Sequence, residues 1–140
     1  MKKLILLFFL LSLCELSFAQ EQSDRDLITK TVHLYFDGMI ERDKEKLEKA
    51  FLPEARLIGY RGENLTITDF ATWAEGTSKG DKRNPSDYKN EIISIRVQGN
   101  TASVETELFW PGIYYYDFLT LILVEGNWKI VHKSWWEKPL

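Results

Sequence analysis

The last third of the chain alternates long β-rich runs with short turns that contain glycine, and this pattern most restricts the possible folds. Four runs occupy residues 88–98, 101–110, 113–124 and 127–136, separated by Gly-Asn, Pro-Gly and Glu-Gly pairs. Runs rich in Val, Ile, Tyr and Phe that are joined by two-residue glycine turns indicate antiparallel hairpins in a meander. We therefore predict four long antiparallel strands in this part of the chain.

The preceding region carries helical patterns. Apolar residues recur every three or four positions from Ile28 to Ile40, which predicts a helix that Ser23 or Asp24 caps. A second helix, which Asp43 caps, is expected over residues 44–51, with Leu47 and Phe51 facing inward and a charged, solvated outer face.

Pro53 ends the second helix and redirects the chain into a strand over residues 55–60. A short strand over 65–68 follows, and then a third helix over 69–76 that Thr68 or Asp69 can cap. Residues 77–87 have loop composition throughout and are expected to form a mobile flap. Helices followed by a meander indicate an α+β domain in which helices pack on one face of a curved sheet.

The first residues match a secretory signal peptide. Lys2 and Lys3 precede an apolar run over residues 4–13, and Ser17-Phe18-Ala19 is a small-x-small cleavage signal. We expect cleavage after Ala19, a single domain over residues 20–140, and a periplasmic or secreted location. Acylation of Cys14 is the competing interpretation, but Leu13 stands where a lipoprotein normally has a small residue.

Composition excludes several function classes. The formal net charge is −3, and removal of residues 1–19, with two lysines and one glutamate, would change it to −4. An acidic chain without a Lys/Arg cluster is a poor nucleic-acid binder. After cleavage no cysteine remains and no run is long enough to cross a membrane. Two histidines, His33 and His132, lack the spacing of a metal site, so we expect neither metal nor cofactor.

Several motifs resemble the NTF2-like superfamily. They are "YFDG" at residues 35–38, "FLPEARL" at 51–57 and "DFLTLILVEGNWKIVHK" at 117–133, and the resemblance covers about residues 24–136. The similarity is greatest to the exported SnoaL-like branch, part of which is named for lumazine binding. The resemblance implies a cone in which helices and a curved antiparallel sheet enclose a pocket, often in a dimer.

The resemblance implies little about chemistry, because members include isomerases, cyclases, epoxide hydrolases and binding domains. In the ketosteroid-isomerase branch an aspartate base stands four residues after the alanine of the F-x-x-x-A motif. This chain has Gly59 at that position, which can neither accept nor deliver a proton. An Asp–Arg–Asp set of the epoxide-hydrolase kind cannot be assembled around Arg56.

The last hairpin predicts which side chains share the concave face. If Glu125 and Gly126 form the turn, strict alternation pairs Leu119 with His132 and Asp117 with Ser134. The concave face then carries Trp128, Ile130 and His132, and the outer face carries Val131, Lys133 and Trp135. An exposed aromatic outer face indicates a partner surface, so we expect a homodimer packed through Trp135.

His132 is the chief chemical candidate. With Asp117 as its orienting carboxylate and Tyr35 as a hydrogen-bond donor, it forms the catalytic set of a general-base enzyme. The alternative is a structural bond between His132 and a carboxylate or the backbone.

Other side chains are ligand-binding candidates. Arg56 could pair with an anion at the pocket mouth or form a surface salt bridge, and tryptophans could stack on a flat ligand or fill the core. The predicted ligand-binding residues are Tyr35, Arg56, Trp73, Trp110, Leu119, Leu121, Trp128 and His132.

Three function classes remain open from the sequence. The favoured one is an exported domain that binds a small apolar or aromatic ligand without catalysis. The second is a small-molecule isomerase, cyclase or hydrolase that uses His132 as base. The third is a protein-interaction module built on the outer sheet.

Overall fold

The computed structural model describes the backbone from Lys2 and the side chains of residues 20–140, so the predicted leader and Cys14 lie outside the described side chains. The elements are α1 (Lys2–Glu41), α2 (Lys44–Ala50), β1 (Phe51–Arg61), β2 (Asn64–Asp69), α3 (Phe70–Thr77), a 3₁₀ turn (Pro85–Asp87), β3 (Lys89–Gln98), β4 (Thr101–Trp110), β5 (Ile113–Val124) and β6 (Asn127–Pro139). In the part of the chain that the structure describes, no helix is both long and apolar enough to cross a membrane.

Six strands form one curved sheet with the helices packed on its concave face, which confirms the predicted α+β cone. The strand order is β2-β1-β6-β5-β4-β3. The predicted meander β3-β4-β5-β6 is present, but the sheet is mixed, because β1 runs parallel to β6. The expectation of a wholly antiparallel sheet was therefore wrong at this pair.

The predicted caps hold for the two short helices. Asp43 accepts a hydrogen bond from the backbone N–H of Lys46 (3.1 Å), and Asp69 accepts one from Thr72 (2.8 Å). The prediction that Ser23 or Asp24 caps the first helix was wrong, because α1 continues through both. Asp24 instead accepts a hydrogen bond from the indole N–H of Trp128 (3.2 Å), which ties α1 to β6.

Phe51 organises the narrow end of the cone. It ends α2, begins β1 and is 1% exposed. Its ring stacks on Phe70 with centroids 5.0 Å apart, and it meets Tyr35 edge-on at 5.5 Å. A fully buried side chain of this size contributes about 1.5–3 kcal/mol through apolar burial alone. Phe51 therefore joins α1, α3 and the sheet in one core.

A β-bulge in β6 reverses the predicted faces beyond Ile130. The turn has the predicted register, since Leu123 pairs with Trp128 and Leu121 with Ile130. Thr120 then pairs with His132, so Val131 is an extra residue on β6. One inserted residue moves every later side chain to the opposite face.

The side chains after the bulge therefore lie on the sheet face opposite to the one predicted for them. Lys133 and Trp135 lie on the concave face, opposite Leu119 and Asp117 respectively, whereas His132 lies on the outer face. The outer tryptophan is Trp136, which is 56% exposed. The prediction that Trp135 forms the outer aromatic surface was wrong for this reason.

Candidate functional site

A cavity of about 170 Å³ opens between the helices and the concave face of the sheet. Its walls come from α1, α3, the loop before β3, and β1, β4, β5 and β6. A surface depression of about 330 Å³ between α1 and the β5–β6 turn is larger, but the interior cavity is the one onto which the buried Lys133 opens. The lining residues are Tyr35, Met39, Arg61, Trp73, Thr77, Arg83, Leu108, Trp110, Tyr115, Lys133 and Trp135.

Three polar side chains meet at the base of this cavity. Lys133 Nζ donates to the hydroxyl oxygen of Tyr35 (2.7 Å) and to Asp117 Oδ2 (3.1 Å). The Tyr35 hydroxyl donates to the same Asp117 oxygen at 2.6 Å. Asp117 and Tyr35 are 0% exposed and Lys133 is 8% exposed. Lys133 thus stands between the cavity and a buried carboxylate.

Tyr35 acts as a neutral donor in this group. Burial, and then the charge and hydrogen bond of Asp117, raise the pKa of Tyr35 well above its ordinary value of 10. A phenol in this state keeps its proton at neutral pH and donates it to Asp117. The predicted donation from Tyr35 to a ligand is therefore not available in this arrangement, because its proton is already used.

This pKa shift predicts a loss of stability at high pH. An unfolded tyrosine ionises near pH 10, whereas Tyr35 in the folded protein ionises only at a higher pH. The stability that the neutral Tyr35 contributes is therefore fully present below pH 10, and it is lost as the pH rises from 10 through the folded pKa. We expect the free energy of unfolding to fall by about 1.4 kcal/mol per pH unit above pH 10 for each such tyrosine. Urea titrations of wild type and Tyr35→Phe at several alkaline pH values measure this slope. An equal slope in the variant would contradict it.

Aromatic rings surround the ammonium group of Lys133. Its Nζ lies 5.1 Å from the ring centre of Tyr35, 5.4 Å from Trp135 and 5.6 Å from Trp73. Cation–π attraction of this kind is strongest where water is excluded. These rings leave flat apolar walls beside the amine.

Gly59 makes room for one of these rings. It pairs with Trp135 across β1 and β6, and a Cβ atom at Gly59 would lie 2.4 Å from Trp135 Cδ2. Gly59, which stands where the isomerase branch has its aspartate base, therefore has a packing function: it leaves space for the indole of Trp135 in the cavity wall.

Arg83 brings a second cation to the cavity from the loop before β3. Its backbone N–H donates to Ile40 O (2.9 Å) and its Nη1 to Met39 O (2.8 Å), so it caps the C-terminal end of α1. Its guanidinium lies 4.5 Å from the ring centre of Trp110. Burial, and then the nearby Arg42, lower the pKa of Arg83, although arginine stays charged at neutral pH.

The lining set contains three cations, Lys133, Arg83 and Arg61, and no Asp or Glu. Asp117 balances Lys133 from behind. Burial, and then the charge of Glu137, raise the pKa of Tyr115. Within residues 20–140, Arg83 has no carboxylate partner. The cavity is therefore flat-walled, aromatic and positive.

The structure brings some of the predicted ligand-binding residues together and separates others. Tyr35, Trp73 and Trp110 line the cavity, and their roles in binding stay predictions. Leu119, Leu121 and Trp128 are on the concave side but are buried in the core, at 2%, 0% and 2% exposure.

Arg56 on β1 and His132 on β6 are neighbours in the strand register, and both lie on the outer face of the sheet. Placing His132 in the pocket was wrong because of the bulge at Val131, and placing Arg56 there was wrong because its neighbour Leu57 takes the core side of β1. The proposed pairing of His132 with Asp117 fails for the same reason, since the two side chains lie on opposite faces.

Sequence reasoning missed Lys133, Arg83, Arg61, Tyr115 and Trp135 as lining residues. A lysine flanked by Val, His and two tryptophans was a signal for Lys133, but strict alternation placed it outside. Nothing in the loop sequence distinguished Arg83 from its neighbours Lys79 and Lys82.

Comparisons with known proteins agree with this fold. Residues 23–136 match the family model described as "Putative lumazine-binding". The chain is 27% identical to an NTF2-like protein of unknown function from Silicibacter pomeroyi, covering 84% of this chain and 98% of that one, with a TM-score of 0.78. A similar protein from Shewanella baltica gives 24% identity, 84% and 96% coverage and a TM-score of 0.76.

A curated relative with a named activity also matches. The chain is 25% identical over 122 residues to "Aldolase FrzH" of Cladobotryum sp., covering 84% of this chain and 94% of the relative.

Proposed function

This chain belongs to the family described as "Putative lumazine-binding" in the NTF2-like superfamily, and from that premise we propose that its cavity binds a small planar anion. The observation that supports the proposal is Arg83, a cavity-lining cation that contacts aromatic rings and a backbone carbonyl. A flat ligand can stack on the tryptophans while its negative charge meets the guanidinium.

The size of the cavity restricts the ligand. An apolar cavity of about 150 Å³ holds benzene, so about 170 Å³ suits one aromatic ring with a small substituent or a compact fused bicycle. Lumazine, for which the family is named, is a planar, acidic bicycle of this kind. Benzoate is the minimal probe, and neutral benzamide is its uncharged counterpart.

Replacing Arg83 with glutamine is expected to weaken benzoate binding about five- to tenfold and to leave benzamide binding nearly unchanged, because only the anion loses a charge partner. Quenching of the three cavity tryptophans, Trp73, Trp110 and Trp135, measures both affinities. Lys82→Gln, one residue away with a side chain 73% exposed, is the matched control.

Two outcomes would contradict the proposal. Equal affinity of the wild-type protein for benzoate and benzamide would contradict the proposed preference for a negatively charged ligand. If none of benzoate, benzamide and lumazine gives saturable quenching, the cavity is not a binding site for ligands of this class.

A second candidate function is carbon–carbon bond chemistry on a carbonyl compound. It is favoured by a lysine that opens onto the cavity and contacts Tyr35 and Asp117, and by the similarity to a relative named as an aldolase. Such reactions begin with loss of an α-proton, so exchange of the methyl protons of 4-acetylbenzoate in D₂O, followed by NMR, tests it. Exchange that persists in Lys133→Arg would count against this function.

We also propose that the protein forms a homodimer through an outer aromatic patch, which consists of Tyr116, Phe118 and Trp136 and is backed by the buried Tyr114 packed against Trp136. Phe118 is 50% and Trp136 56% exposed, and the rings of Tyr116 and Phe118 are 5.1 Å apart. Exposed aromatic side chains clustered on one sheet face are typical of a partner surface.

Trp136→Ser is expected to weaken the dimer by about 2 kcal/mol, close to 30-fold in dissociation constant, if Trp136 anchors the interface. Sedimentation equilibrium measures the change. Leu27→Ser, an exposed apolar residue on α1 (39%), is the control and should leave assembly unchanged. A wild-type protein that is monomeric at high concentration would contradict the dimer.

Export of the chain stays a proposal. It is supported by Lys2 and Lys3, the apolar run over residues 4–13 and the Ser17-Phe18-Ala19 signal. N-terminal sequencing of the protein from its native cells tests it, and a mature chain beginning at Gln20 is the expected result.

A further inference from the structure

Lys133 has the surroundings of a reactive amine. Its side chain is 10% exposed, and Nζ lies near the rings of Trp73 and Trp135 and in hydrogen-bond contact with Asp117 and the Tyr35 hydroxyl. The exposed lysines Lys79 and Lys82, by contrast, have side chains 71% and 73% exposed and contact surface glutamates. Water stabilises their ammonium groups, whereas Lys133 has little such solvation.

Asp117 is suited to take a proton from Lys133. Only Oδ2 of this buried carboxylate receives hydrogen bonds, and Oδ1 has no partner within residues 20–140. The hydroxyl of Thr106, directly opposite on β4, is also buried and lacks a partner among the described residues. Proton transfer within this buried pair leaves two neutral groups, which avoids the cost of holding two charges away from water.

The cavity can hold a carbonyl group against this amine. The rings of Trp73 and Trp135 line the cavity with their centres 5.6 and 5.4 Å from Nζ, so a flat ligand that stacks on either ring can bring its substituent close to the lysine. An amine that is desolvated among apolar groups is the kind of nucleophile that forms Schiff bases with carbonyl compounds.

We propose that Lys133 forms an imine with a small aromatic aldehyde or ketone that carries a negative charge. This inference rests on the proposed binding of planar anions and adds a covalent step to it. The anionic group would meet Arg83, and the carbonyl carbon would meet Nζ.

The steps balance in protons and charge. Lys133 transfers a proton to Asp117 Oδ2, and the free electron pair of Nζ attacks the carbonyl carbon as the C=O π electrons move to oxygen. The Asp117 carboxyl donates its proton to that oxygen, and the resulting carboxylate takes a proton from nitrogen, which lies within its hydrogen-bond reach. The Asp117 carboxyl then protonates the hydroxyl, water leaves, and a C=N⁺ bond remains beside the Asp117 carboxylate.

Reductive trapping of the wild-type protein tests the proposal. 4-Formylbenzoate and sodium cyanoborohydride at neutral pH convert any imine to a stable amine, and peptide mass spectrometry locates it. We expect Lys133 to be labelled at least about tenfold faster than Lys79 or Lys82, because a desolvated amine is the better nucleophile. Excess terephthalate, which has the same shape without an aldehyde, should suppress labelling of Lys133 alone.

Lys133→Arg is the matched variant, since it keeps the cation beside Asp117 and removes the nucleophile. It should lose the fast adduct. Labelling that simply follows solvent exposure would overturn the proposal. If terephthalate binds and Lys133 stays unlabelled, the imine fails while anion binding stands. If terephthalate does not bind and Lys133 stays unlabelled, both fail.

Discussion

Replacing Gly59 with alanine is expected to lower the free energy of unfolding by about 3 kcal/mol, at the upper end of the usual cost of overpacking. The added Cβ would lie 2.4–2.7 Å from three ring atoms of Trp135. The indole cannot easily move away, because its N–H donates to Tyr60 O (2.9 Å) and its face contacts Lys133. Urea denaturation measures the change.

Gly76→Ala is the matched control for this prediction. Gly76 lies in α3, no atom lies within 4 Å of a Cβ built there, and alanine favours helix over glycine by up to about 1 kcal/mol. It should be neutral or stabilising. A Gly59→Ala protein with wild-type stability would show that Trp135 is not fixed against β1.

Replacing Lys133 with methionine is expected to cost about 3–5 kcal/mol of stability, the usual penalty for breaking a buried ion pair from one side. The change leaves the carboxylate of Asp117, 0% exposed, with only the Tyr35 hydroxyl as a partner. Thermal or urea unfolding measures the loss, and the cavity should lose its central cation at the same time.

The double variant Lys133→Met/Asp117→Asn separates lost charge pairing from lost packing. It should recover much of the stability, because no unpaired charge remains. Lys79→Met, which removes an exposed pair with Glu75 at 3.9 Å, should change stability by about 0.5 kcal/mol or less. Equal destabilisation in the single and double variants would contradict a charge-based explanation.

Local pattern and turn chemistry predicted most of the fold. Asp43 and Asp69 cap the helices that they were expected to cap, and the Glu125-Gly126 turn sets the expected pairing of Leu123 with Trp128. The parallel pairing of β1 with β6 joins segments far apart in the sequence, and neither segment carries a local sign of it. Such a contact depends on tertiary packing.

The candidate site was predicted only in part. Tyr35 and Asp117 were expected to act together and are in contact at 2.6 Å, but their third member is Lys133 where His132 was expected. The error came from one residue, Val131. Strict alternation assumes that no residue is inserted, and an insertion can be recognised only when the pairing with the neighbouring strand is known. Arg83 was missed because a loop has no side-chain periodicity from which its position relative to the cavity could be predicted.

The bulge at Val131 has a consequence for comparing this chain with its relatives. His132 and Lys133 are adjacent letters, yet one inserted residue decides whether an imidazole or an amine enters the cavity. Two homologues aligned without a gap across this strand would be assigned the same chemistry even if only one of them has the insertion. Transfer of function in such cases requires superposition of the last strand in three dimensions, and single-residue insertions there offer a short route by which a common scaffold exchanges one reactive group for another.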